Sequence, residues 1–76
     1  MTKLPVIKSR QLIYVLGKLD CVEKRQTGSH RIFYYPRKHT IIPVPIHNRD
    51  LKTGLLRSIV KDLDLSVEEF IRLMKG

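Results

Sequence analysis

The tripeptide Gly28-Ser29-His30 holds the best candidate for acid–base chemistry in this sequence. A histidine imidazole accepts and donates protons near neutral pH. Lys24, Arg25 and Arg31 flank His30 in the sequence, and a proton-transfer group set among cations suits chemistry on a phosphate. A plain surface histidine at a turn is the competing interpretation, and the residues alone leave both open.

The other residues with catalytic potential form no recognisable site. His39 is most simply a solvated turn residue, and His47 either pairs locally or has a functional role. Cys21, the only cysteine, falls where a strand should begin and is expected to be a small core residue. One cysteine and three scattered histidines do not make a zinc site, and the sequence has no glycine-rich phosphate loop. We therefore expect no metal and no cofactor, and the single cysteine predicts a reducing, cytoplasmic location.

The charge balance favours a polyanionic partner. The 76 residues include 15 Lys and Arg against 7 Asp and Glu, a net charge of +8. Residues 1–61 hold thirteen basic and three acidic residues, so the excess lies on the body of the chain. Nucleic acid is the first expectation, and a membrane surface or an acidic protein comes second. The opening segment, broken by Pro5, is too short for a signal peptide, and no apolar run is long enough to span a membrane.

Hydrophobic spacing and turn residues predict three helices and three strands. The first helix begins at a Ser9 cap and ends near Leu19, with Gly17 either weakening it or marking a close approach of another backbone. The remaining predicted elements are strands at Cys21–Gln26, Arg31–Tyr35 and His39–Ile46, a helix at Thr53–Leu63, and a short helix after the capping box Ser66–Glu69. Pro43 and Pro45 cannot donate backbone hydrogen bonds, so the third strand is either an edge strand or one that ends early. Apolar residues on both faces of strand Arg31–Tyr35 leave its core-facing side undecided.

These elements predict an α+β fold in one domain, residues 1–76. The economical arrangement is a three-stranded antiparallel sheet with the helices on one face. The other face and its turns are then free to carry the basic residues.

The sequence resembles the HicA toxin family over almost its whole length. The resemblance lies in motifs that occur in the family's order and at its intervals: Leu4-Pro5, Arg25–Phe33, Ile42–Pro45, His47–Lys52, Leu55–Ile59 and Leu65–Phe70. Two positions depart from the family: Cys21 stands where a larger aromatic residue is common, and Asp20 where a glycine often follows the first helix.

The resemblance implies a fold, an activity and a partner. The implied fold is that of a double-stranded RNA-binding domain, α-β-β-β-α, here with a short extra C-terminal helix. The implied activity is that of an mRNA interferase, a metal-independent endoribonuclease, in which the family's catalytic histidine matches His30. The implied partner is a HicB-like antitoxin that covers this histidine. We expect mRNA as the substrate and no direct DNA partner.

The neighbours of His30 complete the expected site. Lys24, Arg25 and Arg31 are expected to hold the phosphate, while Gly28 and Ser29 shape the turn and can offer it backbone N–H groups. Two rival functions stay open: a non-catalytic RNA-binding module, and a protein-interaction subunit with a basic face.

Overall fold

The chain folds in the order helix, three strands, two helices, and the computed structural model describes residues 3–76. The elements are α1 (Ser9–Lys18), β1 (Val22–Thr27), β2 (His30–Tyr35), a 3₁₀ turn (Pro36–Lys38), β3 (Thr40–Pro45), α2 (Thr53–Asp62) and α3 (Val67–Lys75). The predicted α+β layout, like that of a double-stranded RNA-binding domain, is confirmed. Within residues 3–76, no helix has the length and apolar character needed to cross a membrane.

The sheet is antiparallel with β2 in its centre, and the helices pack against one face. Phe33 and Tyr35 of β2 and Ile42 and Val44 of β3 are buried on this face. The buried residues of the helices and loops that complete the core are Ile7, Leu12, Val15, Leu16, Leu51, Leu56, Ile59, Val60, Leu63 and Phe70. The opposite face is open, with Ile41 52 % exposed. The side of β2 that the sequence left undecided is therefore the one carrying Phe33 and Tyr35.

The start of α1 differs from the prediction. Lys8, not Ser9, is the residue that precedes the helix, and its backbone N–H donates to Gln11 Oε1 at 2.9 Å. Ser9 is buried in the first turn, where its hydroxyl donates to the Pro45 carbonyl oxygen and ties α1 to β3. The predicted Ser9 cap is therefore wrong, because this serine makes a tertiary contact instead.

Five strand ends also shift by one residue each; β2 begins at His30 instead of Arg31, and β3 ends at Pro45 instead of Ile46. β3 begins at Thr40 and not at His39, because His39 has a left-handed φ of 50° that no strand residue adopts. β1 spans Val22–Thr27 instead of Cys21–Gln26, because the backbone N–H of Cys21 is used to close the end of α1.

Both longer helices end in the same backbone motif. After α1, the N–H groups of Asp20 and Cys21 donate to the carbonyls of Gly17 and Leu16, at 3.1 and 3.0 Å. Asp20 has a φ of 61°, the left-handed conformation that favours glycine at this position of a helix end. Asp64, with a φ of 60°, occupies the equivalent place after α2.

The predicted capping box at α3 is confirmed. The Ser66 hydroxyl accepts from the Glu69 N–H at 3.1 Å, and the Ser66 N–H donates to Glu69 Oε1 at 2.9 Å. Hydrogen bonds from the backbone and then the hydroxyl of Ser66 lower the pKa of Glu69 below its usual value. Lys18 Nζ donates to the Leu73 carbonyl oxygen at 2.9 Å, which joins the end of α1 to α3.

We expect Gly17→Ala to stabilise the protein. Gly17 is exposed in α1, and a Cβ atom added there would meet no heavy atom within 4 Å. The substitution therefore changes only the helix propensity, which is low for glycine. Alanine should raise the free energy of unfolding by about 1 kcal/mol, measured by urea denaturation. Gly28→Ala is the contrasting variant: its φ of 56° should make the same substitution destabilising. A loss of stability in Gly17→Ala would contradict the open surroundings of Gly17.

Candidate functional site

His30 is the first residue of β2 and follows a two-residue hairpin turn. Thr27 of β1 pairs with His30, so Gly28 and Ser29 alone form the loop. Gly28 has a positive φ and Ser29 does not, the pattern of a type II′ turn with glycine at its first central position. His30 also pairs with Pro45 of β3 on its other side. Pairing on both sides thus fixes the backbone of His30, whose side chain is exposed.

A β-bulge in β1 brings two cations to the face that carries His30. The pairing jumps from Glu23 opposite Phe33 to Arg25 opposite Ile32, so Lys24 is the extra residue. In a regular strand, Lys24 and Arg25 would lie on opposite faces of the sheet. The shift places Arg25 with Ile32 on the open face, and Lys24 Nζ lies on the same face, 5.5 Å from the Tyr34 ring centroid. Arg25 is diagonal to His30 across the β1–β2 pair, a separation of roughly 7–8 Å between Cα atoms.

Arg31 lies on the opposite face of the sheet from His30. It pairs with the buried Val44, and its guanidinium makes a salt bridge with Glu23, with Nε donating to Oε2 at 3.0 Å. A hydrogen bond from Arg31 and its charge lower the pKa of Glu23 below its usual value. The structure therefore gathers Lys24, Arg25 and His30 on one face, and it does not bring Arg31 to them.

The other two histidines are each held by one hydrogen bond. His39 lies at the far end of β2 from His30, with Nδ1 2.9 Å from the Tyr34 hydroxyl oxygen. His47 follows β3, and its Nδ1 lies 3.0 Å from the Arg49 carbonyl oxygen. Among residues 3–76, no group of three or more His, Cys, Asp or Glu side chains is placed to hold a metal ion.

A second basic region lies on the helix side of the sheet. It is an open cleft of about 440 Å³. Its lining combines residues from the start of α1, from β2 and from the loop after β3: Lys8, Ser9, Arg10, Ile13, Arg31, Ile46, His47 and Asn48. These segments are distant in the sequence, so sequence reasoning did not group them. The one local signal in the sequence is His47, for which a functional role is one of the two interpretations.

Cys21 lies between α1 and β1 and is partly buried, against the core. Burial, and after it the neighbouring Asp20 carboxylate, raises the pKa of the Cys21 thiol to about 11. The thiolate is the nucleophilic form of cysteine. Cys21 is therefore a protonated packing residue at neutral pH, as the sequence suggested.

Comparison with known protein families decides the family. The model of the HicA toxin of bacterial toxin–antitoxin systems matches residues 9–65, more than half of the chain. The chain belongs to the HicA toxin family. The matched region contains α1, the whole sheet and α2, and it includes Lys24, Arg25 and His30; α3 lies beyond it. No curated protein matched the chain. As a HicA-family protein, it is the toxin of a toxin–antitoxin system.

We expect the cysteine of this HicA-family toxin to be unreactive at neutral pH. A pKa of about 11 against the ordinary 9.0 leaves about a hundredfold less thiolate below pH 9. Alkylation of the folded toxin by iodoacetamide, followed by mass spectrometry, should be much slower than alkylation of the urea-unfolded chain and should accelerate as the pH rises toward 11. Equal rates for the folded and unfolded chains would contradict the packing role of Cys21.

Proposed function

We propose that this HicA-family toxin is a metal-independent endoribonuclease that cleaves mRNA, with His30 as its general acid and base. The observation that carries the proposal is the position of His30. It is an exposed imidazole at the end of the central strand, and Lys24 and Arg25 share its face of the sheet. The net charge of +8 attracts the polyanion to this surface.

RNA brings its own nucleophile to this site. Neutral His30 removes the proton of a ribose 2′-hydroxyl, and the 2′-oxygen attacks the adjacent phosphorus. The bond from phosphorus to the 5′-oxygen breaks, which leaves a 2′,3′-cyclic phosphate and a 5′-hydroxyl. Protonated His30 then gives up its proton, and a water molecule relays it to the leaving 5′-oxygen. Proton transfer of this kind accelerates a reaction by ~10²–10⁴-fold.

The cations on the open face stabilise the charge that builds on the phosphate. Arg25 lies diagonal to His30, and Lys24 stands on the same face, so both can approach the phosphate held at the imidazole. Backbone N–H groups of Gly28 and Ser29 offer further donors at the turn. Arg31 is bound to Glu23 on the other face, so we assign it no contact with the scissile phosphate.

The open face of the toxin, which carries His30, is also a suitable binding surface for the antitoxin. We propose that the antitoxin is a HicB-like protein that binds over His30 in the cytoplasm and blocks access of RNA. The open face combines exposed apolar side chains, Val22 at 48 % and Ile41 at 52 % exposure, with the cations of β1. Acidic side chains of a partner would neutralise the cations, and its apolar side chains would cover Val22 and Ile41.

One observation favours a second candidate, a non-catalytic RNA-binding module. Within residues 3–76, His30 makes no hydrogen bond to another titratable side chain that could share its proton transfer. Such a module would bind RNA through the same basic face and leave it intact. The experiment that separates cutting from binding decides between the two.

The decisive variant is His30→Ala, with His39→Ala as its matched control at the other end of β2. His30 is exposed, so His30→Ala should fold and still bind RNA in a gel-shift assay. Its cleavage rate should fall by ~10²–10⁴-fold, the worth of acid–base catalysis. His39→Ala should cleave like the wild type, and EDTA should leave wild-type cleavage unchanged. The wild-type product should carry a 2′,3′-cyclic phosphate or its hydrolysis product.

Three results would overturn the nuclease proposal. They are cleavage by His30→Ala at the wild-type rate, loss of wild-type activity in EDTA, and binding of RNA by the wild type with no cutting. The last would establish the RNA-binding module instead.

A further inference from the structure

The basic cleft on the helix side of the sheet has the composition of a nucleic-acid subsite. Its lining contains Lys8, Arg10, Arg31 and His47, and no acidic residue. Ser9 and Asn48 add polar groups to the lining, and Ile13 and Ile46 add apolar surface. The cleft is open to solvent, so an extended strand can pass through it.

The three cations of the cleft differ in whether they already have an acidic partner. Lys8 Nζ lies 3.2 Å from Asp50 Oδ1, and Arg31 is paired with Glu23. Arg10 is exposed, and in the part of the chain that the structure describes it has neither a salt bridge nor a side-chain hydrogen bond. Arg10 is therefore the guanidinium most available to a ligand, and its planar fork of N–H donors matches the geometry of a phosphate.

His47 offers the cleft a hydrogen-bond acceptor. A carbonyl oxygen only accepts, so the 3.0 Å contact of Nδ1 with the Arg49 carbonyl places a proton on Nδ1. In the neutral ring, Nε2 is then an acceptor. His47 and Arg10 line the same cleft, and an acceptor and a cation together suit a ribose 2′-hydroxyl and its phosphate. DNA has no such hydroxyl.

The cleft and the His30 turn are joined at one end of the sheet. The Ile46 N–H donates to the Ser29 carbonyl oxygen at 2.6 Å, so the residue before His47 is bonded to the residue before His30. A strand that places one phosphate at His30 can therefore continue around this end of the sheet toward the cleft.

We propose that this cleft binds one ribose-phosphate unit of the RNA strand, with Arg10 contacting the phosphate and His47 Nε2 accepting from the 2′-hydroxyl. The proposal rests on RNA as the ligand of the proposed function and adds the subsite that distinguishes RNA from DNA. It is separate from the proton-transfer step at His30.

Binding measured in the His30→Ala background keeps the RNA intact. The probes are a short single-stranded RNA of mixed sequence, its DNA counterpart and its 2′-O-methyl counterpart, followed by fluorescence anisotropy at several salt concentrations. Arg10→Gln should weaken all three complexes and reduce the slope of log K against log salt by about 0.7, the loss of one phosphate contact. The control Arg57→Gln, an exposed arginine of α2 that does not line the cleft, should change affinity much less.

His47→Ala tests the recognition of the hydroxyl. It should weaken RNA binding by roughly two- to tenfold, the worth of one hydrogen bond, and leave DNA binding unchanged. With His47 present, 2′-O-methyl RNA should bind like DNA, which tests the same contact without a variant.

An equal effect of Arg10→Gln and Arg57→Gln, or an RNA preference that survives His47→Ala, would overturn the subsite. Absence of RNA binding in the His30→Ala background would overturn it as well. Failure of the wild type to cut RNA would overturn only the proposed nuclease, because the binding measurements are made without cleavage.

Discussion

The central strand β2 is paired on both edges and packed on only one face, and this constraint divides its side chains between the core and the open surface. Phe33 and Tyr35 lie under the helices, with Arg31 in the same phase. His30 and Tyr34 fall in the other phase and are left on the open face. The hydrophobic residues that hold the sheet to the helices therefore also determine the face that carries the imidazole.

Two backbone features make this face basic and hold His30 in place. The bulge at Lys24 turns Arg25 to the open face, and the turn at Gly28 places His30 directly after a two-residue loop. The Ile46–Ser29 hydrogen bond then links the turn to the loop of the cleft. One end of a three-stranded sheet thus presents a histidine with cations on one side and a basic cleft on the other.

Local signals in the sequence predicted the fold well and the site only partly. The capping box at Ser66 could be predicted because all its atoms come from four consecutive residues. The role of Ser9 could not, because its partner, the Pro45 carbonyl, is 36 residues away. The bulge left no signal in residue types, so the grouping of Lys24 with Arg25 needed the register. The separation of Arg31 from His30 follows from strand alternation once β2 is known to begin at His30.

Binding of RNA over His30 on the open face, as we propose, can be followed by NMR of the histidine side chains. The measurement is a titration of ¹⁵N-labelled toxin with 2′-O-methyl RNA, which lacks the nucleophile and stays intact. We expect the imidazole resonances of His30 to shift in proportion to binding, while those of His39, at the far end of β2, stay in place. Saturated RNA binding with unmoved His30 resonances would contradict it.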